Sequence, residues 1–64
     1  MYNLGDCVLH QKTGHSGKVI GFGHQILDGV YLPTLIVQMF KDARQIQKNV
    51  VEDLSSAWMQ IEGR

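Results

Sequence analysis

At positions 28 and 29 an Asp-Gly pair separates two runs rich in apolar and β-branched residues, Lys18 to Leu27 and Val30 to Met39. Asp-Gly in that setting is among the stronger short-range hairpin signals. Both central residues of a type I′ turn need φ > 0, which Gly adopts freely and Asp tolerates. A two-residue loop also sets the register, placing Leu27 opposite Val30, Ile26 opposite Tyr31, Phe22 opposite Leu35 and Ile20 opposite Val37. Ile20, Phe22, Leu35 and Val37 are then expected on one face, with Val19, Gly21, Gly23 and Ile36 on the other. Gly21 and Gly23 inside the first arm mark a bend or bulge of the kind a tightly coiled sheet needs, so the register is free to slip there. Pro33 lacks a ladder donor and points to an edge at that part of the second arm.

Short strands are expected around this hairpin, because seven glycines and one proline interrupt the chain at short intervals. The first is Asp6 to His10. The polar loop Gln11–Gly17 follows at the surface, with Gly14 and Gly17 available for positive φ. After Phe40, Lys41-Asp42-Ala43 reads as a turn and Arg44 to Val51 as a fourth strand with Ile46 and Val50 inward. Val51 to Leu54 reads as one helical turn. Ala57 to Met59 forms a last strand that returns Trp58 to the first one and closes the sheet. A helix over Asp42 to Leu54, with Ile46, Val50 and Leu54 at four-residue spacing, is the alternative. Asn49-Val50-Val51 has poor helix propensity, and a lone hairpin would leave a sheet face bare, so the strand reading is preferred.

Length and composition narrow the function classes. A chain of 64 residues makes one small domain that buries only ~60% of its unfolded surface, which leaves little material for a deep substrate cleft. Six Lys plus Arg balance six Asp plus Glu, and 44% of residues are hydrophobic, so charge repulsion does not argue for disorder. Cys7 stands alone and cannot form an internal bridge, which fits a reducing, cytoplasmic setting. No basic-then-apolar leader precedes Gly5, and no apolar run approaches the ~20 residues of a membrane-spanning helix. Ile61-Glu62-Gly63-Arg64 spells the recognition site of a coagulation protease used to remove tags. The domain is therefore expected to occupy residues 1–60, with 61–64 a remnant of tag removal.

Leu4-Gly5-Asp6-x-Val8-x-His10, the loop with Thr13-Gly14, and Gly17-Lys18-Val19-Ile20-Gly21 together resemble the opening of SH3-like small barrels. In particular they resemble the tudor-like domains by which bacterial helicases and transcription-repair factors contact RNA polymerase, and the KOW segment of ribosomal and elongation proteins. The resemblance covers about the first third of the chain and reflects shared turn chemistry more than a shared partner. It implies an all-β fold, a small SH3-like (tudor-like) barrel of about five strands with one short helical turn. Compared with that pattern the hairpin arms here are longer and more apolar, and the basic residues of an RNA-binding KOW segment are few.

Candidate chemistry is sparse. Cys7, His10, His15 and His24 match no closed zinc spacing, so no metal site is expected, and Cys7 reads as a buried small hydrophobe with the histidines near loops. A cysteine enzyme would need Cys7 beside His10 or His24, plus oxyanion donors and a pocket. Glu52 and Asp53 on a helical turn would point apart and solvate it. Gly14-x-x-Gly17-Lys18 lacks the Walker spacing and no helix follows. Tyr2, Phe22, Tyr31, Phe40 and Trp58 supply enough rings for a methyl-cation cage, but a domain this small needs most of them for its core. Lys12, Lys18, Lys41, Arg44 and Lys48 offer a nucleic-acid-binding alternative.

The sharpest feature is the tip of the hairpin. Ile26, Leu27, Val30, Tyr31 and Leu32 flank a tight turn that projects from a small barrel, where they cannot all reach one core. The expected role is a non-catalytic protein-interaction module that docks on a larger complex through these residues, with no catalytic residue and no cofactor. The partner is either another copy of the chain or a larger assembly. By resemblance, RNA polymerase or a photosynthetic electron-transfer complex, some of which carry small SH3-like subunits, are candidates.

Overall fold

The computed structural model describes residues 1–41 and 50–61. Five strands, β1 (Cys7–His10), β2 (Ser16–Leu27), β3 (Val30–Met39), β4 (Val50–Leu54) and β5 (Trp58–Gln60), form one antiparallel sheet in the order β4-β3-β2-β1-β5. A single 3-10 turn, Ser55–Ala57, joins β4 to β5. The fold is all-β. Among the described residues no helix is long and apolar enough to cross a membrane.

The central hairpin turns where the Asp-Gly signal places it. Asp28 has φ 50° and Gly29 φ 78°, the two positive angles of a type I′ turn. Leu27 pairs with Val30, Ile26 with Tyr31 and Phe22 with Leu35, as the two-residue loop requires. The expected Ile20–Val37 pair does not form. Val19 pairs with Val37 and Gly21 with Ile36, so Ile20 is the extra residue of a β-bulge. The bulge turns Val19 inward, 1% exposed, and Ile20 outward, 48% exposed. Burial decides the slip: one inserted residue lets Val19 and Phe22 stand on the same face as Val37 and Leu35.

Val8, Val19, Leu35, Val37, Met39 and Trp58 form the core, with Tyr2, Val51 and Ala57 packed against it. The 3-10 turn swings β5 back to pair with β1, and Trp58 Nε1 donates to the Asp53 carbonyl on β4 at 3.3 Å. The Trp58 side chain therefore bridges the two outermost strands of the sheet. The sheet is rolled, and Trp58 fills the roll. Tyr2 Oη donates to the Trp58 carbonyl at 2.9 Å and clamps the N-terminal segment over it.

Three other expectations are corrected. The helical turn expected at Val51–Leu54 is strand, paired with β3 from Gln38↔Val50 to Thr34↔Leu54; the turn comes at Ser55–Ala57 and the last strand at Trp58–Gln60. Ladder bonds to β3 outweigh local preference there. The helical alternative fails over the same residues, while its remainder, the expected strand from Arg44, Ile46 and most of the 41–43 turn lie outside the described residues. Val50 faces outward and Val51 packs on the core, so the inward position is one residue later than the alternation suggests. Gly17 is a buried strand residue and not a positive-φ loop position; of the two loop glycines only Gly14 has positive φ, 80°. Ile61 extends the β5–β1 contact one step past Gln60, its N–H donating to the Cys7 carbonyl at 2.9 Å.

Candidate functional site

β1 flanks β2 only over Ser16–Lys18, with two further backbone bonds tying Val19 to Gly5 and Asp6. β4 flanks β3 only from Thr34 onward. Beyond those limits the hairpin continues as a two-stranded ribbon with no further strand paired to either edge among the described residues. A 12-residue strand at ~3.3 Å per residue spans ~40 Å, matching the longest extent of the molecule, 40 × 24 × 19 Å.

The five residues expected at the tip are brought there, but they divide between two faces. Ile26 and Tyr31 continue the core face outward, together with Phe22, His24 and Pro33. Leu27, Val30 and Leu32 stand on the reverse. Phe22, Ile26 and Tyr31 are 51%, 59% and 71% exposed, Leu27 and Val30 are exposed, and Leu32 is half-buried. The His24 and Tyr31 rings meet at 6.0 Å between centroids, inclined at 66°. Phe22 joins this strip although its pairing with Leu35 suggested a core position. Leu35 is covered by the roll, whereas Phe22 lies past the end of β1, a limit that alternation does not reveal.

A second cluster lies in the rolled body. His10, on β1, is buried, and its Nε2–H donates to Asp53 Oδ2 on β4 at 2.8 Å. The carboxylate can only accept, so Nε2 carries the donated proton, and Nδ1 is buried with no hydrogen-bond partner among the described residues. The ring meets Trp58 edge-on at 4.8 Å and 85°. His10 does end β1 beside the loop, but its ring does not face solvent there. Strand alternation puts it beside Val8 inside, where Asp53 satisfies one nitrogen.

The His10 hydrogen bond, then the Leu54 backbone N–H on Oδ1, hold the Asp53 carboxyl below the usual carboxylate range. A carboxylate depressed by folding adds stability that is complete above its unfolded value, about pH 4, and is lost as the pH falls through the folded value. Urea titrations of the wild type are expected to show stability falling below about pH 4. Asp53→Asn should be less stable near neutrality and flatter on that acid limb; an unchanged limb would remove Asp53 from the account.

The other candidates separate. Cys7 is half-exposed, not buried, and strand alternation puts it on the face of β1 opposite His10. It pairs with Lys18, from which His24 lies six residues along β2, ~20 Å away. The Cys7–His10 and Cys7–His24 pairs are not assembled. Glu52 and Asp53 occupy opposite faces of β4, and Glu52 accepts from the Thr34 hydroxyl at 2.6 Å above Gly23. Tyr2 and Trp58 pack in the body while Phe22 and Tyr31 stand on the ribbon, so the five rings do not gather into one cage. Lys12, Lys18 and Lys41 are exposed, and Arg44 and Lys48 lie outside the described residues. Among the described residues no group of three or more His, Cys, Asp or Glu is placed to hold a metal ion.

No family model, no curated protein and no solved structure matches the chain at a significant level.

Proposed function

We propose that the chain is a non-catalytic protein-interaction module that docks through its β2–β3 ribbon. One observation carries the reading: the ribbon outruns the strands that cover it and bears Phe22, Ile26, Leu27, Val30 and Tyr31, all exposed, around its free end. Apolar side chains held on a rigid two-stranded arm keep little conformational entropy to lose on binding, which makes them good anchors. Tyr31 is the most exposed of them and belongs to a residue type enriched at interface hot spots. The resemblance of the N-terminal third to SH3-like, tudor-like domains supports a docking role and offers RNA polymerase or a photosynthetic electron-transfer complex as partner classes.

Affinity capture with the wild type beside a Leu27→Asp, Tyr31→Ala double variant tests this, since the two substitutions strike both faces of the tip. A hot-spot loss of ~2 kcal/mol or more predicts at least ~30-fold weaker recovery, with an unchanged circular dichroism spectrum. Equal recovery of the same proteins by both chains would remove the hairpin from the interface. Salt-sensitive retention of both on a nucleic-acid column would favour the lysine-based alternative.

A further inference from the structure

The hydrogen-bond phase of the ribbon says more about the occupant. Leu27 and Val30 flank the two-residue turn and form the bonded pair that closes it, so Gln25/Leu32 and Gly23/Thr34 also bond inward. The alternate pairs Ile26/Tyr31, His24/Pro33 and Phe22/Leu35 turn their N–H and C=O groups away from the hairpin. On the β3 side the ring nitrogen of Pro33 occupies the central outward position and blunts that edge. The β2 side has no such guard. From Val19 to Leu27 it carries no Asp, Glu, Lys, Arg or Pro, and the outward groups of Phe22, His24 and Ile26 have no partner among the described residues.

Deepening the docking reading, on which it rests, we propose that the occupant of this edge is a second copy of the chain, paired antiparallel, β2 to β2, about a two-fold axis at His24. The free span between bulge and turn, Gly21 to Leu27, is centred on His24. A two-fold pairing there uses the whole edge and sets His24 opposite the partner's His24, with Phe22 opposite the partner's Ile26 and Ile26 opposite the partner's Phe22. All three outward positions of one copy meet outward positions of the other, giving up to about six backbone bonds. Phe22 and Ile26, each about half exposed in the single chain, become apolar cross-strand pairs on one face. An isologous interface must be self-complementary, and this edge is so in bonding phase and side chains, with no Asp, Glu, Lys or Arg from Gly21 to Leu27 to repel its copy.

The test uses the full chain. Sedimentation from ~1 μM to ~1 mM should show a reversible monomer–dimer equilibrium in the wild type. His24→Pro puts a proline directly across from Pro33, its nitrogen on the open edge, so the hairpin ladder is kept while the central intermolecular donors are lost. Dimerisation should weaken by about 10- to 30-fold, and Phe22→Lys should do the same without altering backbone geometry. In a Cys7→Ser background, His24→Cys should form a disulfide-linked dimer under mild oxidation, because bonded antiparallel pairs hold Cα atoms ~5.5 Å apart. Gln25→Cys, diagonal to its own mate, should not. A wild type that stays monomeric throughout, or a dimer unaffected by His24→Pro and crosslinked through Gln25→Cys, overturns the proposal. A monomeric wild type whose capture of a foreign protein is lost in His24→Pro also overturns it, yet leaves the docking reading standing; that reading falls separately if the Leu27→Asp, Tyr31→Ala chain captures as well as the wild type.

Discussion

A Trp58→Ala chain is expected to be largely unfolded at room temperature in dilute buffer. Trp58 is almost fully buried, belongs to the core with Val8, Val19, Leu35, Val37 and Met39, and links β5 to β4 through its indole N–H. Truncating a buried Trp costs ~3–5 kcal/mol. A single core in a domain of this size rarely supplies more than ~3–5 kcal/mol in total, so the loss consumes the whole margin. The His10 ring would also lose the edge-on contact that accompanies its burial, and Tyr2 would close over a cavity. Far-ultraviolet circular dichroism with urea titration gives the readout, since tryptophan fluorescence is removed with the residue. Trp58→Phe separates the contributions: it keeps a ring but loses the bond to Asp53, at a cost of order 1 kcal/mol. An alanine variant with a cooperative transition near that of the wild type would show that the roll does not depend on this side chain.

Gly17→Ala is expected to disrupt folding nearly as severely, although it adds only a methyl group. A Cβ at Gly17 would overlap the Gln38 carbonyl oxygen and lie 2.7 Å from Val37 Cγ1 and 2.8 Å from the Met39 Cα. Two of those three obstacles are backbone of the paired strand and cannot rotate away. Overpacking of a well-filled interior costs ~1–3 kcal/mol and more when side chains cannot give. The comparison that decides the cause is Gly23→Ala, where the nearest atoms are Glu52 Oε2 at 2.6 Å and Thr34 Oγ1 at 3.0 Å, both on side chains. Glu52 is exposed and can swing out, so that variant should lose only the Thr34–Glu52 hydrogen bond, ~1–2 kcal/mol. Equal midpoints for the two variants in urea would contradict the steric account.

Ile20 and Gly17 show where a linear reading stops. The turn at Asp28-Gly29 was legible because its chemistry is local: two consecutive positive φ values are demanded, and few residue pairs supply them. Pairing next to the turn followed from it. Ile20 was misplaced because the bulge is chosen by which of two adjacent residues fills the roll, and that competition involves Val8, Val37 and Trp58 from other strands. Gly17 looked like a loop glycine for the same reason, since a close approach to β3 leaves no mark in its own neighbourhood. Val51 to Leu54 reads locally as a helical turn, whereas four ladder pairs with β3 make it strand.

The candidate site divides in the same way. Ile26, Leu27, Val30, Tyr31 and Leu32 could be named from the sequence because an apolar excess around a tight turn exceeds what one small core can absorb. Their division between two faces, the addition of Phe22, and the unguarded edge of β2 required the register and the lengths of β1 and β4.

By itself, the order of residues determined an all-β chain, a type I′ hairpin centred on Asp28-Gly29 and an apolar tip, because turn dihedrals and side-chain alternation are set within a few bonds along the backbone. Only the tertiary structure decided that Val19 and not Ile20 is inside, that His10 meets Asp53 beneath Trp58, and that β2 runs on past its neighbours. Those outcomes depend on which surfaces from distant parts of the chain exclude water together, and that competition is settled only when the sheet rolls.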